Sequence, residues 1–273
     1  MPSVLLLITL MLPAWGGHGD LHERIAELSL RIAASPRDPK LRFDRAELYR
    51  QHLEFENALA DCRETLTLDP DFFAVYLEEA RIRFDMMRFE EALAAGDRFL
   101  AKLPTHGEAH LIRARCLSRL GRAAESAAAY DEALRLLPRQ TPEVYIERAR
   151  EQVRDEKGGL DRALEGLARG LEVLGPAISL ELTALELEVT GRRHDAALAR
   201  VDRLMSNQKR TESWWLRRAE ICVATGRAGA AREAFVKGLA AVESLSPRIR
   251  KLKSTQLVVE KLRAGLAALD DKE

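Results

Sequence analysis

The sequence has little of what usually announces a chemistry. Forty-three basic residues meet forty-three acidic ones. The cationic excess that displaces counterions from nucleic acid is therefore absent, and general nucleic-acid binding is excluded. Aromatic residues are 5% of the chain. Three cysteines, Cys62, Cys116 and Cys222, are an odd set and cannot close a disulfide framework. Each falls in an expected helix, on or near its apolar face, and reads as a small buried hydrophobe. No apolar run reaches the ~20 residues that span a bilayer. No alternation of apolar and β-branched residues reads as a strand. The phosphate loop, the dinucleotide fingerprint and the nucleophile elbow are missing. His106 and His110 are four apart, a spacing that can set two ligands on one helix face. His106 falls in an expected turn, however, and His110 in a packing position. His52 and His194 fall at turns and are expected in solvent. No catalytic residue, metal ligand or cofactor is expected, and the chain does not read as an enzyme.

What is present is helical and periodic. Ala, Leu, Arg and Glu, all strong helix formers, dominate. Pro36, Pro70, Pro104 and Pro138 stand 34 residues apart, and proline ends one helix and starts the next connection. Small residues form a second ladder. Ala46 and Ala58, Ala80 and Ala92, Ala114 and Ser126, Ala184 and Ala196, and Ala219 and Ala231 are each 12 apart. Ala149 and Ala163 are 14 apart, with an insertion around Lys157-Gly158-Gly159. A leucine follows the second member by eight: Leu66, Leu100, Leu134, Leu171, Leu204 and Leu239. Such residues let two successive helices approach closely and close the core with the next pair.

These features resemble the tetratricopeptide repeat, a helix-turn-helix unit of 34 residues. An aromatic slot four residues before the first small residue holds Tyr76, Tyr145 and Trp215, and departs in Arg42, His110 and Leu180. The turn glycine is kept as Gly121, Gly191 and Gly226 and replaced by Leu53 and Met87. The resemblance implies an all-α, right-handed superhelical solenoid of about six units over residues 37–246. Residues 20–36 are then an N-terminal helix. Residues 247–273 are a capping helix, with Leu252, Leu257, Val258, Leu262 and Leu266 turned toward the array. Val4 to Leu12 is an unbroken apolar run with no charge before Asp20. It has the length of a signal-peptide core, with small residues at Ala14, Gly16, Gly17 and Gly19. Residues 1–19 are expected as a signal peptide, which puts the protein in the periplasm or outside the cell; a buried first helix and a cytoplasmic protein is the alternative.

The resemblance further implies that first helices line a concave, ligand-holding face. One residue after the first small residue stand Glu47, Arg81, Arg115, Arg150, Leu185 and Glu220. Five after it stand Gln51, Asp85, Arg119, Arg154, Val189 and Ala224. Arg81, Arg115, Arg119, Arg150 and Arg154 with Leu185 and Val189 are the expected groove, suited to another protein or a peptide segment part acidic and part apolar. Against this, Glu78, Glu147 and Glu151 each precede one of these arginines by three residues and can pair with it on its own helix. The family's Lys and Asn clamp for a C-terminal carboxylate is unmatched, since Phe43 and Glu47 stand at those positions. Trp214 is a candidate anchor or a packing residue. The expected function is a non-catalytic scaffold or adaptor. The alternative is a chaperone-like envelope carrier of unfolded or lipidic clients.

Overall fold

The computed structural model describes residues 18–155, 158–206 and 208–270. Most of the expected signal segment, residues 1–17, lies outside them. Among the described residues every regular element is an α-helix, and they divide into two compact units, one ending at Gln140 and the other beginning at Thr141.

The first unit holds α1 (His18–Ala34), α2 (Pro39–Gln51), α3 (Phe55–Leu68), α4 (Ala74–Asp85), α5 (Phe89–Lys102), α6 (Gly107–Arg119) and α7 (Ala123–Leu136). Pro39 opens α2 at the first helical position, where its missing N–H costs nothing. Asp38 caps that helix by accepting from the Lys40 N–H at 2.9 Å. The small-residue ladder forms the seam of each hairpin: Ala46, Ala58, Ala80, Ala92, Ala114 and Ser126 have no exposed surface. The Ser126 hydroxyl donates to the Ala114 carbonyl at 2.9 Å, so the one polar member of the seam is satisfied.

The second unit holds α8 (Pro142–Arg154), α9 (Gly159–Leu174), α10 (Ile178–Thr190), α11 (His194–Ser206), α12 (Glu212–Ala224), α13 (Ala228–Glu243), α14 (Pro247–Arg250) and α15 (Lys253–Asp270). Six hairpins therefore run from α2/α3 to α12/α13.

Among the described residues one backbone device closes five of the turns. A residue in the left-handed region follows the first helix, and the next N–H bonds the carbonyl five residues back. These bonds are Glu54 to Tyr49 (2.8 Å), Arg88 to Arg83 (2.8 Å), Arg122 to Leu117 (2.9 Å), Arg193 to Glu188 (2.7 Å) and Arg227 to Cys222 (2.9 Å). The left-handed residues are Leu53, Met87, Gly121, Arg192 and Gly226. The fifth hairpin departs from the sequence reading here. Its left-handed residue is Arg192, not Gly191, whose φ is −79°. A side chain at Gly191 would meet Leu160 at 2.3 Å, so that glycine answers a close approach and not a turn conformation.

The register of the fifth hairpin moves by one as a result. Leu185 and Ala197 occupy its seam at 3% and 0% exposure, while Ala196 is exposed. Met205, eight after Ala197, packs on the core in place of Leu204. The aromatic slot then falls on Glu181 instead of Leu180.

The C-terminal helix is also corrected. It breaks after α14, and the break rotates the apolar face. Leu252 and Leu257 are exposed, and Thr255, Val259 and Leu262 are the buried members, with Val258, Leu266 and Leu269 packed against the core.

Candidate interaction surfaces

In the first unit, the first helices of successive hairpins, α2, α4 and α6, form a wall with an open cleft of about 570 Å³. Arg50, Arg81, Asp85, Glu108 and Arg115 stand around it. Glu78 lies beneath, with no exposed surface. A carboxylate there must be paired to be tolerated. Arg50 Nε reaches it at 2.5 Å and Arg81 Nη1 at 3.2 Å. Arg50 also bonds Asp85 at 3.2 Å, and Arg81 bonds Glu108 at 2.7 Å. Burial works against the charged form of Arg50, but Glu78 and Asp85 more than offset it and hold its pKa above the ordinary value. Glu47, beside this network, is held above the usual carboxylate range by burial, then by Glu78 and Asp44.

Arg81 is therefore held between two glutamates, as its spacing from Glu78 allows. Arg115 lines the cleft, half-buried. Arg119 is exposed, with its guanidinium 5.9 Å from the centre of the Phe89 ring.

In the second unit Arg154 pairs with the buried Glu151 at 3.0 Å, again on its own helix. Arg150 is exposed and forms no ion pair among the described residues. A second cleft, of about 500 Å³, opens between α10 and α12. Leu182, Glu186, Trp214 and Arg217 line it, with Leu185 as its floor. Leu185 thus serves the core first and the surface only by its edge. Val189 is half-buried and packs on the core. Trp214 is half-buried too, packed on the core on one side and open to the cleft on the other.

Sequence reasoning set Asp85 in a groove column without assigning it to the site, and it missed Arg50 and Glu108 in the first cleft and Leu182, Glu186 and Arg217 in the second. Glu186 was findable: with Leu185 in the seam, Glu186 is the residue one after it.

The fifth hairpin also shows what replaces an aromatic in the packing slot. Three residues after the second small residue stand Asp61, Ala95, Ala129, Gly166, Arg200 and Ala234. That residue is small wherever the slot holds Tyr76, His110, Tyr145 or Trp215. In the first hairpin Arg42 fills the slot, and Asp61 lies 4.0 Å from it while taking a two-pronged pair from Arg45 at 2.7 and 2.8 Å. In the fifth, Glu181 fills the slot and pairs with Arg200, which also grips Glu188 at 2.7 and 2.9 Å. The same ionic exchange is made with the signs reversed.

His106 and His110 are spent on local structure. His106 caps α6 by accepting from the Ala109 N–H at 3.2 Å and sits edge-on to Phe99. His110 bonds the Pro104 carbonyl at 2.9 Å. His52 and His194, expected in solvent, are half-buried; the His52 ring lies 4.1 Å from that of His22. Burial pushes the Cys116 thiol up to about 12 and raises that of Cys62 as well.

Hairpins of this length, seam and turn decide the fold. It is a tetratricopeptide-repeat fold. The tetratricopeptide repeat family model matches residues 77–141, from α4 through α7. Solved structures of like fold include a tetratricopeptide repeat protein from Parabacteroides merdae, 15% identical, covering 91% of this chain and 93% of that one with a TM-score of 0.54. YrrB, a tetratricopeptide-repeat protein with an unusual peptide-binding site, is 19% identical over 66% of this chain and 92% of its own, with a TM-score of 0.55. PilW, a type IV pilus biogenesis factor, is 20% identical over 81% and 98%, with a TM-score of 0.50. At these identities the likeness is one of fold.

Proposed function

We propose that the protein is a non-catalytic interaction scaffold that holds a segment of a partner protein against the first helices of its repeats. The observation that carries this reading is that both units open a cleft on those helices, each with apolar and charged side chains at its rim. A repeat fold of this kind offers such walls without chemistry of its own, and YrrB is a relative in fold with a peptide-binding site. Reversing Arg115→Glu and Arg150→Glu together should leave the helical spectrum intact, because neither stands in a seam. It should weaken capture of an acidic partner from cell-envelope extract, and the loss should shrink as salt rises. Arg63→Glu with Lys102→Glu, on second helices, should do much less. Equal effects from the two pairs would remove the first-helix wall as the binding surface.

The exposed Ile178, Leu182 and Val223 favour a second reading, a carrier of unfolded or lipidic clients. Broad suppression of client aggregation would support it, and tight one-to-one binding would oppose it. We also propose export to the periplasm or beyond, on the apolar run Val4 to Leu12. Sequencing of the mature N-terminus should find it between Gly17 and Leu21; an intact Met1 on cytosolic protein would overturn this.

A further inference from the structure

We propose that the cleft between α10 and α12 takes a partner segment in which a lysine or arginine stands beside an apolar side chain. This rests on the scaffold reading and gives the second unit a ligand of opposite sign to the one its arginines suggest.

The argument begins with the charges of α10. Its sequence, ISLELTALELEVT, carries three carboxylates and no cation. Arg200, arriving from α11, pairs with two of them, Glu181 and Glu188, and its single positive charge leaves that trio one negative charge over. Glu186 is left. It is exposed, it lines the cleft, and it forms no ion pair among the described residues.

Across the cleft stands the indole of Trp214, while Leu182, at 47% exposure, lines it from α10. An aromatic face attracts a cation, and Trp does so best. A carboxylate at the same cleft adds a charge-assisted acceptor. Arg217 also lines this cleft, but Glu220 on its own helix bonds it at 3.4 Å. Glu186, Glu220 and Arg217 together leave the site with one net negative charge. An acidic segment would meet that charge; a basic one would be drawn to the α10 side, away from Arg217. Leu182 and Ile178, one turn apart and both half-exposed, offer room for the neighbouring apolar side chain.

The test uses the full chain and three peptides differing only at the centre: acetyl-Leu-Lys-Leu-amide, its norleucine counterpart and its glutamate counterpart. Binding is read from the Trp214 indole N–H resonance, assigned with Trp214→Phe. The lysine peptide should bind roughly tenfold more tightly than the glutamate peptide. Glu186→Gln should cut that preference to about twofold and leave the norleucine peptide unchanged. Trp214→Leu, with binding read from the leucine methyl resonances of the peptide itself, should weaken the lysine peptide more than the norleucine one. Peptides that bind without regard to charge, or a preference that survives Glu186→Gln, would overturn the proposal and leave the scaffold reading standing. If none of the three moves the Trp214 resonance, this cleft is not a peptide site, and both readings fail for the second unit.

Discussion

At the scale of single residues, paired buried charges are costly to disturb. Arg200 serves two carboxylates, and its side chain is 13% exposed against 6% for Glu188. Removing one partner of a buried pair costs more than the pair contributes, since the other charge is left unsolvated. Arg200→Met should lower stability by about 3 kcal/mol in urea unfolding, and Arg200→Lys should recover only part, because an ammonium cannot grip Glu188 with two prongs. A loss no larger than that of an exposed surface pair would show that Glu181 and Glu188 reach water. Glu47 works in the opposite sense. Its pKa is raised in the folded protein, first by burial and then by Glu78 and Asp44. The folded state therefore holds the proton over a window just above the ordinary value of 4.5, and stability falls as pH rises through that window. Glu47→Gln should be more stable than the parent at neutral pH, with the gain fading as pH is lowered through the window and Glu47 gains its proton. A gain that is constant with pH would place its cause outside this carboxyl group.

At the scale of the hairpin, the turns carry the clearest strain. Leu53 and Met87 sit in the left-handed region at φ 63° and 59°, with 70% and 75% of their surfaces exposed. Neither conformation nor burial favours those side chains. A left-handed non-glycine residue costs about 1–2 kcal/mol, and glycine returns about 0.5–1 of that through its greater freedom when unfolded. Leu53→Gly and Met87→Gly should each raise stability by roughly 0.5–1 kcal/mol. Gly121→Leu should lose a similar amount, since its Cβ would meet nothing within 4 Å and only the backbone would object. Thermal melts of the three variants check the sign, and a destabilised Leu53→Gly would mean that its side chain has a partner. These turns also show what was legible beforehand. The seam alanines, the 34-residue spacing and five of the six hairpin registers could be read directly, because packing at close quarters admits only small residues. The fifth register could not, because Gly191 and Ala196 mimic the pattern one residue early. The contact that explains Gly191, with Leu160, is made across 31 positions of chain. The clefts were half legible. Repeat columns found Arg115, but whether an arginine faces solvent or a glutamate on the next hairpin, as Arg81 faces Glu108, depends on contacts between hairpins.

At the scale of the whole molecule, two compact units imply that stability need not be lost in one step. Repeat arrays are held by neighbour contacts, so parts can open separately. The three free thiols report on this, two in the first unit and one in the second, all buried. None should react with a thiol reagent in the native protein, given the raised thiols of Cys62 and Cys116. As urea rises, Cys62 and Cys116 should become reactive together and Cys222 at a different concentration. One shared midpoint for all three would show that the array melts as a single body. The reversed ion pairs of the first and fifth hairpins have a consequence at this scale too. Tandem copies usually behave like beads that can be deleted, duplicated or traded along a string. Here two beads are keyed within themselves. A second helix taken from the fifth hairpin and laid on the first helix of the first would set Arg200 against Arg42 and Arg45. The reciprocal trade would set Asp61 against Glu181 and Glu188. A crossover falling between the two helices of these copies would yield chains that repel themselves at the seam, whereas trading whole hairpins keeps each pair together, so the signs of the buried charges hold the two helices of each hairpin as one unit of exchange.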